Sequence, residues 1–240
     1  LPLDICGAES QGLIGYMISQ TLANIFNEEG REDIQIATVL TQTIVDASDP
    51  AFENPTKPVG PFYDEKQAQA LEREKGYVMV EDAGRGYRRA VPSPEPISIK
   101  ENESINCLLE EDAIVIASGG GGVPVVKQGS GLRGCEAVID KDLASEKLGE
   151  EIGASLLFIL TSVDFVYENY GSKDQKPIKR MNAYEARRRI EEGQFSEGSM
   201  KPKVKAAVRF VEGGGEKAII SSFNGIDRAL NGDTGTLITN

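Results

Sequence analysis

Residues 156–160 read Leu-Leu-Phe-Ile-Leu, an unbroken apolar run with no polar alternation. A strand with one wet face alternates polar and apolar side chains, so an unbroken run must be covered on both faces. The runs at 113–117 (Ala-Ile-Val-Ile-Ala) and 218–221 (Ala-Ile-Ile-Ser) read the same way, and a last strand is expected at 236–239. Helical spacing fills the gaps. Residues 203–211 place Val204, Ala207, Val208 and Val211 on one helical stripe, and helices are also predicted over 104–110, 143–152 and, briefly, 226–230. Strands alternating with helices predict an α/β fold, with a mostly parallel sheet sandwiched by helices in three layers.

The first third of the chain reads differently. Leu13, Ile14, Met17, Ile18, Leu22, Ile25 and Phe26 give residues 11–26 a wide apolar helical face, closed by Gly30. The β-branched stretch 34–45 predicts one strand. Four prolines follow (Pro50, Pro55, Pro58, Pro61), then a polar helix over 64–75, a strand-like run at 77–81, a glycine and arginine turn, and a stop at Pro92, Pro94 and Pro96. Residues 46–96 are therefore expected to form a small protruding subdomain within a single domain spanning 1–240. The chain opens at Leu1-Pro2-Leu3 without an initiator methionine and enters a helix almost at once, so it reads as part of something longer.

Charge and composition exclude several classes of function. With 38 acidic and 26 basic side chains, the net charge is −12. Nucleic acid and anionic membrane both call for a cationic face, so neither is an expected partner. Histidine is absent, which removes imidazole as base, nucleophile or metal ligand. Cys6, Cys107 and Cys135 match no zinc spacing, so no protein-held metal is predicted; their odd number suits a reducing cytosol better than a disulfide framework. No signal peptide is visible, and no apolar run approaches membrane-spanning length.

Four segments could carry chemistry. In Val138-Ile139-Asp140-Lys141-Asp142-Leu143, a lysine stands between two aspartates before a helix. Carboxylates on both sides keep an ammonium charged and restrict its stem, which suits holding negative charge during phosphoryl transfer. A solvated charge cluster at a helix start would have the same sequence. The run Gly119-Gly120-Gly121-Gly122 follows a predicted strand, where backbone N–H groups could cradle an anion, although it could also be a flexible turn. In Gly198-Ser199-Met200-Lys201-Pro202-Lys203, a cation sits at the positive end of a helix, a conflict that a bound phosphate could offset. Asn54-Pro55-Thr56-Lys57-Pro58-Val59-Gly60 presents Lys57 on a stiff, proline-bounded loop. Arg85, Arg88 and Arg89 form a further basic cluster of undetermined role. Asp164, at the end of the apolar strand 156–160, could accept hydrogen bonds from ribose hydroxyls or order a turn. Neither G-x-x-x-x-G-K-[ST] nor G-x-G-x-x-G occurs.

These segments together resemble the carbamate kinases of the amino-acid kinase family. The likeness runs through Ser10-Gln11-Gly12, Asn54-Pro55-Thr56-Lys57-Pro58-Val59-Gly60 and Glu81-Asp82-Ala83-Gly84-Arg85-Gly86. It continues through Gly119-Gly120-Gly121-Gly122-Val123-Pro124, Ala137-Val138-Ile139-Asp140-Lys141-Asp142, Leu160-Thr161-Ser162-Val163-Asp164 and Gly198-Ser199-Met200. The resemblance implies reversible phosphoryl transfer between ATP and carbamate, giving ADP and carbamoyl phosphate with Mg²⁺, often toward ATP in arginine fermentation. It further implies a cytoplasmic homodimer. By the same resemblance Lys57, Lys141 and Lys203 hold the transferring group and Asp142 orients lysines. Gly119, Gly120 and Gly121 line the substrate side, and Ser162, Val163, Asp164, Val166, Tyr170 and Met200 lie near the nucleotide. The family's opening Gly-Gly-Asn and Gly-Asn-Gly-Pro turns have no counterpart here, so a molecule starting at Leu1 is expected to lack strands and most activity. A non-catalytic nucleotide or anion sensor, or a sibling kinase for another acid, are the competing readings.

Overall fold

The computed structural model describes residues 1–82 and 84–240; Ala83, in the expected glycine and arginine turn, lies outside the described residues. The chain divides into two compact units, Leu1–Lys141 and Asp142–Asn240. The boundary falls in the run Asp140-Lys141-Asp142.

The first unit opens with α1 (Leu3–Glu28), followed by β1 (Ile36–Thr38) and β2 (Gln42–Val45). The single strand expected over 34–45 is thus two. β1 pairs in parallel with β7 (Ile114–Ile116), whereas β2 pairs in parallel with β8 (Val123–Gln128) and antiparallel with β6 (Ser98–Ile99). The break between them falls at Val39, Leu40 and Thr41. There the Gln11 side chain brackets Thr41, accepting from its N–H at 3.1 Å and donating to its carbonyl at 3.0 Å. A long-range contact of this kind has no local sequence signal. β9 (Gly131–Gly134) returns antiparallel on β8.

Within residues 46–96, β3 (Lys57–Tyr63), β5 (Tyr87–Val91) and β4 (Val78–Glu81) make an antiparallel sheet in the order β3-β5-β4. Its helix α2 (Glu65–Lys75) carries a full capping box, Asp64 with Gln67, and stops at Gly76 in the left-handed conformation. Helix α3 (Asn102–Glu110) precedes β7.

The second unit is a four-stranded sheet in the order β10-β14-β15-β13. These strands are β10 (Leu156–Thr161), β14 (Lys217–Ser222), β15 (Thr236–Thr239) and β13 (Arg180–Asn182). The pairs β10/β14 and β13/β15 are parallel and β14/β15 antiparallel. A small hairpin, β11 (Val166–Glu168) with β12 (Lys176–Ile178), leaves the sheet after β10. α4 (Lys141–Glu151) leads into β10. α5 (Ala183–Glu191), α6 (Met200–Glu212) and α7 (Ile226–Leu230) complete the unit. The predicted stripe of α6 is its buried face: Val204, Ala207, Val208 and Val211 are at most 2% exposed and join Phe210, Ala218, Ile220 and Ile238 in one core. The fold is α/β, with parallel pairs (β1/β7, β2/β8, β10/β14 and β13/β15) and antiparallel pairs mixed within its sheets.

Candidate active site

In the first unit, Lys57 is the first residue of β3, opposite Val91 of β5, rather than a loop residue. Pro58 follows it without breaking the sheet because β3 is an edge strand. The Lys57 ammonium donates to Asp140 at 2.9 Å, with both side chains mostly covered. The glycine run forms a short 3-10 turn, Gly119–Gly121, entered through Ser118 at φ 54°. It is tied from beneath: Ser118 N–H donates to Thr41 Oγ1 at 2.9 Å, and Thr43 Oγ1 donates to the Gly121 carbonyl at 2.7 Å. Gly121 is buried against Ile139, while Gly119 and Gly120 are exposed. A backbone anchored on one side and bare on the other can present amides to an anion.

The three arginines of the insert are all engaged. Arg85 and Arg88 pair with Asp82, and both lie over the Phe62 ring. The Arg88 hydrogen bond holds the Asp82 carboxyl below its usual range. Arg89 reaches Glu136 at 3.2 Å and stacks on Tyr77. Lys141, the last residue of this unit, begins α4.

In the second unit, Lys203 stands in the first turn of α6 and is only 8% exposed. Its ammonium donates to both carboxylate oxygens of Asp142, at 3.1 and 3.0 Å. The conflict with the helix dipole is therefore answered by a buried carboxylate, itself in the favourable first turn of α4. The two aspartates flanking Lys141 thus each hold a lysine distant in sequence, Lys57 and Lys203.

Beside the start of α6 lies a cavity of about 400 Å³, in the size range of small-molecule sites. Ser162, Val163, Tyr170 and Met200 line it, together with Thr161 from the end of β10. Tyr167 and Tyr170 form a tilted ring pair, centroids 5.9 Å apart, at its edge. Asp164 and Val166 are not part of the lining. Asp164 accepts from the Ser222 hydroxyl at the end of β14, and Val166 is fully buried, its N–H donating to Thr236 Oγ1 at 2.8 Å.

A model of the amino acid kinase family matches residues 21–222. The chain is 54% identical over 237 residues to a carbamate kinase of Thermococcus kodakarensis, covering 99% of this chain and 75% of that one. The corresponding enzyme of Clostridium perfringens is 50% identical over 238 residues, with 99% and 76% covered. The chain belongs to the carbamate kinases of the amino acid kinase family. A solved carbamate kinase from Giardia lamblia bound to AMP-PNP superposes with a TM-score of 0.90 at 42% identity, covering 100% of this chain and 76% of that one.

For a carbamate kinase, the residue-by-residue resemblance missed most of this cavity's wall, Thr161 and Gly193 included. Tyr167, Asn169, Gln194, Phe195, Ser196 and Ser199 also line it. Asn169 carries a positive φ of 50°, a conformation that asparagine tolerates better than most residues. Residues 194–199 follow α5, a helix whose polar surface disguised it. A signal at its end was Gly193, at φ 71°.

Proposed function

We propose that the chain transfers a phosphoryl group reversibly between ATP and carbamate, giving ADP and carbamoyl phosphate, with positioned lysines in place of acid–base side chains. The observation that carries the mechanism is Lys203, a buried ammonium fixed by Asp142 one turn along α6 from Met200, which lines a nucleotide-sized cavity. A charge fixed before reaction needs no reorganisation as negative charge moves across the transferring group, which is where most of the rate advantage of such sites arises. Family resemblance gives Lys57 and Lys141 a part in the same reaction, and Asp140 restrains Lys57 as Asp142 restrains Lys203. The amides of Gly119 and Gly120 are proposed to meet the carbamate side. Tyr170 offers a ring face to the base, and Ser162 and Val163 contact the nucleotide.

Mg²⁺ belongs to the same reading. Among the described residues no cluster of three acidic, cysteine or histidine side chains forms a cage, and Asp140 and Asp142 are engaged with lysines. That donor set fits an ion carried by the nucleotide phosphates, because Mg²⁺ keeps its waters and is often held mainly by substrate oxygens. Bound there, it would neutralise charge between the outer phosphates. Action toward ATP in arginine breakdown and assembly as a homodimer are supported by family resemblance alone. No helix of the described residues is long and apolar enough to cross a membrane.

The test couples ATP formation from ADP and carbamoyl phosphate to a light or absorbance readout, beside calorimetry of ADP binding. Lys203→Ala is expected to lower kcat roughly 10²–10³-fold, the scale for losing one fixed charge-stabilising group. Lys57→Ala should lower kcat with ADP affinity retained. Undiminished turnover in both variants would remove the lysines from the mechanism.

A further inference from the structure

A second cavity in the unit Asp142–Asn240, about 300 Å³, is lined by none of the residues assigned to the reaction. Its floor is one face of the sheet. Arg180 on β13 and Ile219 on β14 are both cross-strand partners of Leu237 on β15, so their side chains share a face. Lys217, two residues before Ile219 on β14, shares that face. The intervening residues Met181, Ala218, Ile220 and Ile238 point to the other side and are buried in the core with α6. Leu230 and Asn231, at the end of α7, form part of the wall, and Lys179 adjoins Arg180 at the rim.

The charge distribution is the informative part. Among the described residues, none of Lys179, Arg180 and Lys217 takes part in an ion pair, whereas Arg187 is held by Glu212, Arg188 by Glu192 and Arg189 by Glu168. In a chain with 38 acidic and 26 basic side chains, three cations around one hollow with no carboxylate in its lining run against composition. Asp227 and Asp233, the acidic residues on α7 and the turn after it, are not part of the lining. The cations repel one another, and a bound anion relieves that repulsion. Ile219 and Leu237 on the floor and Leu230 on the wall offer an apolar surface to a carbon skeleton and nothing to a bare inorganic ion.

We infer that this cavity binds a short organic acid carrying two or three carboxylates. Arg180 grips one carboxylate through its planar fork, Lys179 and Lys217 act as point charges on the others, and the carbon chain rests on Ile219 and Leu237. The site is independent of the carbamate kinase reading, because no residue is shared.

Propane-1,2,3-tricarboxylate is the probe, titrated by calorimetry at constant ionic strength into the whole chain. Saturable binding is expected, weakened roughly ten- to hundredfold in Arg180→Gln, the scale for losing a charged hydrogen-bonding partner. Saturating ADP should leave the affinity unchanged, which separates this cavity from the phosphoryl-transfer site. Arg180 and Lys217 are exposed, so neither substitution threatens the fold. Unchanged affinity in the Arg180→Gln, Lys217→Gln double variant would overturn the inference. So would competition by ADP, or equal affinity for inorganic phosphate.

Discussion

The glycine run shows how differently four identical residues are constrained. A Cβ on Gly121 would lie 2.4 Å from the Ile139 carbonyl oxygen, at a φ of 99°, whereas one on Gly120, at φ 66°, meets nothing within 4 Å. Gly120→Ala should therefore cost only its backbone strain, about 1–2 kcal/mol. Gly121→Ala adds a backbone clash and should cost about 3 kcal/mol or more. Equal midpoints in urea would contradict the packing seen at Ile139. Asp142 presents the reverse case, a charge that must be present. Asp142→Asn leaves the Lys203 ammonium buried without its counterion, a loss of about 3–5 kcal/mol, while the double change Asp142→Leu, Lys203→Met should recover most of it. A double variant no better than the single one would show that shape, not charge, dominates there. Cys135 permits a chemical test. Burial, reinforced by Asp4, pushes its thiol up to about 11, while Cys6 and Cys107 are exposed. Thiolate is the reactive form, so iodoacetamide at pH 8 should modify Cys6 and Cys107 well before Cys135. Mass spectrometry of partially labelled protein reads this directly, and early labelling of Cys135 would refute it.

Elements whose reasons are local were legible, and those with distant reasons were not. The stripe of α6, the unalternating run of β10 and the polar helix α2 are each contained in a dozen residues or fewer, and each stands where it was expected. The apolar residues of α1 gave its helix but not its burial: Gln11 and Gly15 are its buried positions, while Leu13, Ile14, Met17 and Ile18 are exposed. Gln11 is buried because it serves the backbone of Thr41, thirty residues on. β8 escaped notice because Pro124 argues against an interior strand; it is tolerated at the second strand position, where its carbonyl accepts from Cys135. The site shows the same division. Ser162, Val163, Tyr170 and Met200 were implied by the family resemblance, whereas the pairing of Lys57 with Asp140 spans 83 residues and has no local trace. α5 did carry a signal that its polar sequence hid, the capping box of Asn182 and Glu185. Asn182→Ala should cost about 1 kcal/mol, visible as a lower denaturation midpoint. No change would mean the helix is held by packing alone.

The molecule comprises two compact units, and the larger continuous apolar core belongs to the second. Phe210 is central to it, 1% exposed on α6. Its ring packs against two residues that have no side chain. A Cβ built on Gly149 would come within 3.0 Å of the ring, and one on Gly215 within 2.3 Å. Neighbours without side chains cannot repack into a space left by truncation. Phe210→Ala should therefore fall in the upper part of the usual range of about 3–5 kcal/mol for an aromatic truncation. Stability is not uniform through a structure, and amide exchange reports the free energy of opening region by region. Every described residue of the core around Phe210 belongs to the unit Asp142–Asn240. The expected result in Phe210→Ala is accelerated exchange along Lys217–Ser222 and Leu156–Thr161, while Gln42–Val45 in the first unit keeps its protection. If protection falls by the same factor in all three strands, the two units open as one, and Lys57 and Lys203 share a single folding equilibrium.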